Sequence, residues 1–255
     1  MKKRYGQHFL FDPNILRRIV TFAGVGPDDT VLEIGPGAGT LTRELAAVAK
    51  HVIAIEIDTD LIEPLRANAA ANVEIIEGDA LEFDFARLPP TPIQIVGNLP
   101  YNVATPLFKR FIEQRARVQS VTAMIQKEVA DRMTAAHGSK AYGPLSVLVQ
   151  YYATTTRGFN VPRGAFRPPP KVDSTVIRLE WRPDVPDARG FTDFVHAAFG
   201  ERRKKLVNNI RRILPQHSLD DIRESLSALG ISKDARPEEL SIGEFVRVYN
   251  QLCRH

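Results

Sequence analysis

A chain of 255 residues with 44% hydrophobic and 25% charged residues is long enough for one large domain and a small one, with the composition of an ordinary globular protein. The single cysteine, Cys253, excludes an internal disulfide, and six histidines without metal-ligand spacing exclude a recognisable zinc site, so no metal is expected. The net charge of +4 is a weak pointer to an anionic partner, but basic residues cluster: 199–212 holds six against one acid, and 157–182 holds six against two.

No apolar run approaches the roughly 18 residues of a membrane span. The basic start Met1-Lys2-Lys3-Arg4 is not followed by the apolar core of a signal peptide, which predicts a cytoplasmic protein without a membrane partner. From about residue 30, short β-rich runs alternate with helical patterns. Thr30–Ile34 reads as a strand ending in glycines, 40–48 as a helix, 51–57 as a second strand and 59–70 as a second helix. Val73–Glu77 and 93–97 read as the third and fourth strands, 105–114 as a helix and 118–125 as a fifth strand. Strand–helix alternation implies βαβ units and a parallel sheet, with the strand-to-helix loops along one edge.

The pattern changes near 138–182, where apolar runs at 145–154 and 174–181 flank the stiff segment Phe166-Arg167-Pro168-Pro169-Pro170. Pro183, Pro186 and Gly190 punctuate a linker. Beyond it, 191–214, 218–229 and 241–252 read as amphipathic helices, with Gly230 a C-terminal cap. These patterns predict an α/β, Rossmann-like catalytic domain over 1–185 and a small all-helical domain over 186–255.

The chemistry concentrates at predicted strand ends. Gly35, Gly37 and Gly39 follow the first strand, where cofactors bind in a doubly wound sheet. Their GxGxG spacing differs from the GxGxxG of pyrophosphate binders and suits S-adenosylmethionine, which has no phosphate to cradle. Glu56 ends the second strand, 21 residues after Gly35, where a carboxylate can accept from ribose hydroxyls. Asp79 follows the third strand, placed to accept from an adenine amine or to position the adenosine. The alternative is a glycine turn without a ligand, with Glu33 a partly buried acid that caps it.

Asn98-Leu99-Pro100-Tyr101 follows the fourth strand and reaches the same edge. The lone pair of an adenine amine is delocalised into the ring. Acceptors for both amine hydrogens would rehybridise it, and the Asn98 side-chain oxygen with the Leu99 carbonyl can be that pair. Pro100 keeps Leu99 extended, and Tyr101 offers a ring for the base. An amide is not a base near neutral pH, so catalysis here is positioning and electrostatics. The alternative is a structural Asn-X-Pro turn.

With these motifs in order, the chain resembles the KsgA-type ribosomal RNA adenine dimethyltransferases of the small subunit. The likeness runs nearly end to end. It includes Gln7-His8-Phe9-Leu10, Glu33 to Gly39, Asn98 to Tyr101, Tyr142-Gly143-Pro144-Leu145-Ser146-Val147, Phe166 to Ser174, and Phe199 with Arg202-Arg203-Lys204 and Asn208. The resemblance implies cofactor contacts at His8, Leu10, Gly35, Glu56, Asp79 and Asn98, with His8 standing where the family often has Asn. It implies Phe166 stacked on the target adenine opposite Tyr101. It also implies two methyls on each of two adjacent adenosines in a hairpin loop near the 3′ end of small-subunit RNA. The expected partner is that RNA within a pre-small-subunit particle, and a monomer is the default. RNA contact is expected at Arg202, Arg203, Lys204, Lys205 and Asn208, on a helix over 202–212; a solvated helix face is the alternative there, and a core phenylalanine is the alternative for Phe166. Tyr5, Gln126 and Lys127 are read as ordinary structural residues. Competing functions are an Erm-type large-subunit RNA methyltransferase and a non-catalytic ribosome assembly factor.

Overall fold

The computed structural model describes residues 8–183, 185, 189–201 and 204–253. In chain order the elements begin β1 (Phe9–Leu10), α1 (Pro13–Ala23), β2 (Thr30–Ile34), α2 (Thr40–Ala46), β3 (His51–Glu56), α3 (Thr59–Ala67) and β4 (Val73–Glu77). They continue β5 (Ile93–Asn98), α4 (Ala104–Glu113), β6 (Val118–Gln126), α5 (Lys127–Met133), α6 (Pro144–Tyr152), β7 (Ala153–Val161), β8 (Phe166–Arg167) and β9 (Ser174–Trp181). The last four are α7 (Arg189–Ala198), α8 (Leu206–Ile213), α9 (Leu219–Ala228) and α10 (Ile242–Cys253).

The chain forms two compact units, one of 1–130 with 154–181 and the other of 131–153 with 182–255. A single boundary near 185 puts 131–153 in the first domain; the structure groups that stretch with the C-terminal helices. Its helix α6 buries Val147, Leu148 and Val149, and Tyr151 on it lies 4.4 Å, ring to ring, from Phe191 of α7.

The first unit is built on a seven-stranded sheet of order β4-β3-β2-β5-β6-β9-β7. β4, β3, β2, β5 and β6 run parallel, and β9 is antiparallel to β6. The chain starts in the middle, at β2, and winds outward first through β3 and β4, then through β5 and β6. The carboxyl ends of β2 and β5 are therefore the switch point, where such sheets bind ligands. β2 and β3 are nearly all buried, as expected of strands covered on both faces.

Helix α1, which the alternation pattern does not reveal, has a full set of local signals. The Asp12 side chain accepts from the Asn14 N–H at 2.9 Å, Pro13 occupies the first turn, and Gly24, at φ 65°, ends the helix. Its face of Leu16, Ile19, Val20 and Ala23 packs with Leu41, Leu45, Val52 and Val96. Each larger side chain there contributes about 1.5–3 kcal/mol by leaving water. At its far end the Arg178 guanidinium from β9 donates to the Phe22 and Ala23 carbonyls. A cation at a helix C-terminus opposes the negative end of the dipole.

In the second unit, the single helix expected over 191–214 is two. α7 ends at Ala198, and the Gly200 N–H bonds back to Ala197. Lys205 is extended, with φ −63° and ψ 146°, and α8 starts after it. The buried Asn209 amide donates to the Ala198 carbonyl at 2.6 Å, satisfying the end of α7. Gly230 follows α9 at φ 73°, and the Ile231 N–H reaches back to Leu226 at 2.9 Å, the six-residue closure of a glycine-terminated helix.

Candidate active site

A cavity opens at the carboxyl ends of β2, β3, β4 and β5, roofed by β1, entirely within the first unit. It draws wall residues from each of these ends: Gly35 and Gly37, Glu56, Asp79, and Asn98 to Val103. The turn after β2 is tight because Gly37 has φ 59° and the Phe9 ring lies against it. A Cβ there would sit 2.7 Å from Phe9 Cε1. Gly39 lies outside the cavity wall; it precedes α2 at φ 71°.

Glu56 is 2% exposed and holds the loops around it. One carboxylate oxygen accepts from the Gly37 N–H at 3.0 Å and the other from the Asp58 N–H at 2.9 Å. Burial raises its pKa, and those two N–H groups pull it back down. A carboxylate oxygen has a second lone pair, so each can still accept from a hydroxyl in the cavity. Asp79 is held in the same way, accepting from the Leu81 N–H at 2.8 Å.

The segment after β5 is fixed at several points. The Leu99 N–H donates to Met124 at 3.1 Å, and the Val103 N–H closes a turn on Pro100 at 3.1 Å. The Asn98 amide nitrogen donates to the His8 carbonyl at 3.0 Å. A carbonyl can only accept, so the nitrogen is assigned to that side, and the Asn98 oxygen remains as an acceptor. His8 therefore takes part through its backbone. Its Nδ1 faces the Pro168 carbonyl at 2.7 Å, so Nδ1 carries the proton. The Tyr101 ring lies 5.8 Å from the His8 ring, and its hydroxyl pairs with Ser174 Oγ at 2.7 Å. Burial raises the Tyr101 pKa. Leu10 lines the cavity, and its carbonyl accepts from Thr40 Oγ1 at 2.9 Å.

Phe166 is placed differently from the expected sandwich. It is 2% exposed, packs in the core with Val161, Val176 and Leu10, and is not part of the cavity wall. The reason is register: β8 pairs Phe166 with the inward-facing Leu10. Alternation then turns Arg167 outward, where its guanidinium lies 4.4 Å over the Phe11 ring.

Among the expected RNA contacts, Lys204, Lys205 and Asn208 are exposed, and Lys205 is paired with Asp234 at 2.7 Å. Lys204 and Lys205 precede α8, whereas the expectation put them on a helix. Arg202 and Arg203 lie outside the described residues. Among the described residues no cluster of His, Cys, Asp or Glu has the arrangement of a metal site, and no helix is long and apolar enough to cross a membrane.

Glu33 is the cavity residue that motif reading undervalued. It ends up 1% exposed, and its Oε2 has no hydrogen-bond partner. Thr42 bears on its charge, but the Thr42 hydroxyl is also unpartnered, so the two do not complete a bond. Burial pushes the Glu33 carboxyl up to about 8, with the Glu56 charge adding to the rise. The available signal was a lone acid inside an otherwise apolar strand.

The family described as ribosomal RNA adenine dimethylase matches residues 1–253. The chain belongs to that family. Among its relatives, the ribosomal RNA small subunit methyltransferase A of Rubrobacter xylanophilus is 46% identical, covering 98% of this chain and 95% of its own length. The protein of the same name from Shewanella amazonensis is 40% identical over 99% of this chain and 95% of its own length. A crystal structure of a dimethyladenosine transferase from Plasmodium falciparum superposes with a TM-score of 0.83 at 28% identity, covering 96% of this chain and 98% of its own. The 23S rRNA methyltransferase ErmE superposes with a TM-score of 0.74, also at 28% identity, over 96% and 99%.

An adenine dimethylase of this family uses S-adenosylmethionine as methyl donor, and the residues present fit that group. The Gly37 turn has no room for a side chain, and Glu56 and Asp79 present carboxylates at successive strand ends. When bound, the donor supplies an electrophilic methyl on a sulfonium.

Proposed function

We propose that the protein transfers methyl groups from S-adenosylmethionine to the exocyclic amines of two adjacent adenosines in a hairpin loop near the 3′ end of small-subunit ribosomal RNA. The product is dimethyladenosine. The observation that carries this reading is the anchored Asn98: its nitrogen is committed to His8, so its oxygen is an oriented acceptor beside the cofactor cavity. Asn98 Oδ1 and the Leu99 carbonyl hold the two amine hydrogens and draw the nitrogen lone pair out of the ring. As the nitrogen becomes positive, both acceptors stabilise it, which is preorganised electrostatic catalysis. Tyr101, fixed through Ser174, presents its ring to the base, worth roughly 1–3 kcal/mol for such a stack. A loop adenosine is already partly unstacked, which lowers the cost of drawing it in. Glu56, Asp79, Gly35, Gly37, His8 and Leu10 hold the donor. Phe166 stacks on the adenine only if RNA binding turns it out of the core. Lys204, Lys205 and Asn208, with Arg202 and Arg203, meet RNA phosphates.

The setting we propose is a monomer acting on a pre-small-subunit particle in the cytoplasm. A large-subunit target is the second reading, favoured only by the likeness to ErmE at 28% identity, against small-subunit relatives at 40% and 46%. The test is incubation with labelled S-adenosylmethionine and three unmodified substrates: small subunits, large-subunit RNA and duplex DNA. Dimethyladenosine in the small-subunit RNA alone is the expected result. Label in large-subunit RNA would transfer the protein to the second reading, and RNA binding without label would make it an assembly factor.

A further inference from the structure

The two-stranded ribbon of β1 and β8 that roofs the cofactor cavity has two unlike faces. Its strands run antiparallel, with Phe9 opposite Arg167 and Leu10 opposite Phe166. The Phe11 N–H carries the ladder on to the Ala165 carbonyl at 3.3 Å. Alternation puts Leu10 and Phe166 on the inner face, in the core, and Phe9, Phe11 and Arg167 on the other. Phe9 lies against Gly37 and lines the cavity. Phe11 stands two residues beyond it, about 7 Å at the usual strand rise. It is outside the cavity wall and 42% exposed. The Arg167 guanidinium lies over its ring, 4.4 Å from the centroid. The ribbon is tied at its end, where His8 Nδ1 meets the Pro168 carbonyl at 2.7 Å.

A single exposed phenylalanine is ordinary; the charge around this one sets it apart. Arg163, Arg167 and Lys171 are all exposed, and 163–171 contains no acid. Among the described residues no carboxylate pairs with Arg167. The acids nearest in sequence are committed to backbone N–H groups, Asp12 to those of Asn14 and Ile15, and Asp173 to that of Arg163. A ring under a guanidinium, flanked by cations, suits a flat ligand on an anionic chain, which is a nucleotide of a single strand. We propose that Phe11 and Arg167 form a stacking platform for the nucleobase next to the adenosine held in the cavity, with Arg163 and Lys171 meeting the flanking phosphates. The inference rests on the substrate reading above. The platform shares a face with Phe9 but lies outside the cavity, so a base stacked there belongs to the neighbouring nucleotide while the target base enters beside Asn98 and Tyr101. The Pro-rich segment thus offers its exposed stacking group through Arg167, because register sends Phe166 inward.

A double-mutant cycle between protein and RNA tests the contact itself. The substrates are unmodified small subunits and small subunits reconstituted with a synthetic 3′ RNA segment. That segment retains one target adenosine and carries an abasic nucleotide on its 5′ or its 3′ side. Single-turnover methylation at subsaturating full-length protein, with S-adenosylmethionine in excess, is the readout. For the wild type, the missing base on one of the two sides should slow methylation about tenfold. Phe11→Ala and Arg167→Ala should slow the intact substrate by a similar factor, and the abasic nucleotide should then add no more than about twofold. Phe11→Tyr keeps the ring and should keep the abasic penalty. Arg167→Lys keeps the charge without the plane and should stay slow on the intact substrate. Melting temperature and donor affinity should be unchanged in all four variants, which separates a lost contact from a distorted ribbon. The proposal is overturned if neither abasic position slows the wild type, or if the alanine and abasic losses multiply. Full recovery in Arg167→Lys would reduce Arg167 to a phosphate contact and overturn it too. No methylation of intact small subunits by the wild type would instead overturn the substrate reading, so the two failures are distinct.

Discussion

Replacing Asn98 by alanine should separate chemistry from binding. The side chain makes one described bond within the protein, from its nitrogen to the His8 carbonyl at 3.0 Å. A neutral bond of that kind is worth about 1 kcal/mol to folding, which in a domain this size lowers the melting temperature by about 2–4 °C. The catalytic loss is much larger, because the same truncation removes an acceptor aimed at a nitrogen that turns positive during methyl transfer. Preorganised polar groups at a site of developing charge are worth about 10²–10³ in rate, or roughly 3–4 kcal/mol. Single-turnover methylation of unmodified small subunits, at saturating donor, reads that step directly, and filter binding reads RNA affinity, expected within twofold of wild type. Asn98→Asp sharpens the test. Aspartate keeps an acceptor but has no N–H for the His8 carbonyl, so its oxygen is no longer held in place and the rate should remain low. A single-turnover rate within threefold of wild type for the alanine variant would refute the mechanism, and so would a rate loss matched by an equal loss of RNA affinity.

Other perturbations test the supporting structure. Glu56→Ala removes the acceptor for both the Gly37 and Asp58 N–H groups, so donor affinity should fall at least tenfold with RNA affinity unchanged; calorimetry showing wild-type donor affinity would contradict this. Gly37→Ala places a Cβ 2.7 Å from the Phe9 ring in a left-handed conformation that costs about 1–2 kcal/mol by itself, so both melting temperature and donor affinity should drop. Arg178→Met keeps apolar bulk but leaves the Phe22 and Ala23 carbonyls without their cation; urea unfolding should show a loss of about 1.5–3 kcal/mol with the methylation rate unaffected. Glu33 also ties donor-free stability to pH. Its carboxyl titrates at about 8 in the folded chain against 4.5 as the ordinary value, so the folded state holds the extra proton in between. Stability from this group is complete below about 4.5 and is lost as pH rises through about 8. The loss is about 2–3 kcal/mol between pH 6 and 8.5, and Glu33→Gln should abolish it; an unchanged pH slope in that variant would refute the assignment.

The parallel strands were legible because each is an apolar run closed by a turn signal and too short for a buried helix. The run at 145–154 was not, since an unbroken apolar stretch fits a buried helix or a strand equally. The structure uses it for both, ending α6 at Tyr152 and starting β7 at Ala153. The helix over 191–214 misled for a related reason. Its amphipathic period continues through the basic stretch, and the break depends on Gly200 together with the tertiary bond from Asn209 to Ala198. Helix α1 carries its cap and its apolar stripe in plain view at Asp12, Pro13 and Leu16 to Ala23, but it precedes the strand–helix alternation and so lies outside that pattern.

The site divides along the same line. Glu56, Asp79 and Asn98 were readable because each ends a parallel strand, and right-handed crossovers bring all such ends to one edge whatever the side-chain packing. Residues whose role depends on facing were not. Phe166 and Arg167 share a two-residue strand, and a shift of one residue against β1 exchanges which of them meets the core. The motif that contains both is unchanged by that shift, so it identifies the pair without selecting the side chain that meets solvent. Glu33 poses the same problem in three dimensions. One acid in an apolar strand is ordinary if a cation or a hydroxyl meets it. Whether one does is decided by how Thr42 of another element is oriented, and here its hydroxyl and the Glu33 Oε2 are both left without a partner. The unsatisfied oxygen is thus a property of packing, and the reason a residue so easily passed over as a turn cap carries the strongest electrostatic perturbation in the cavity.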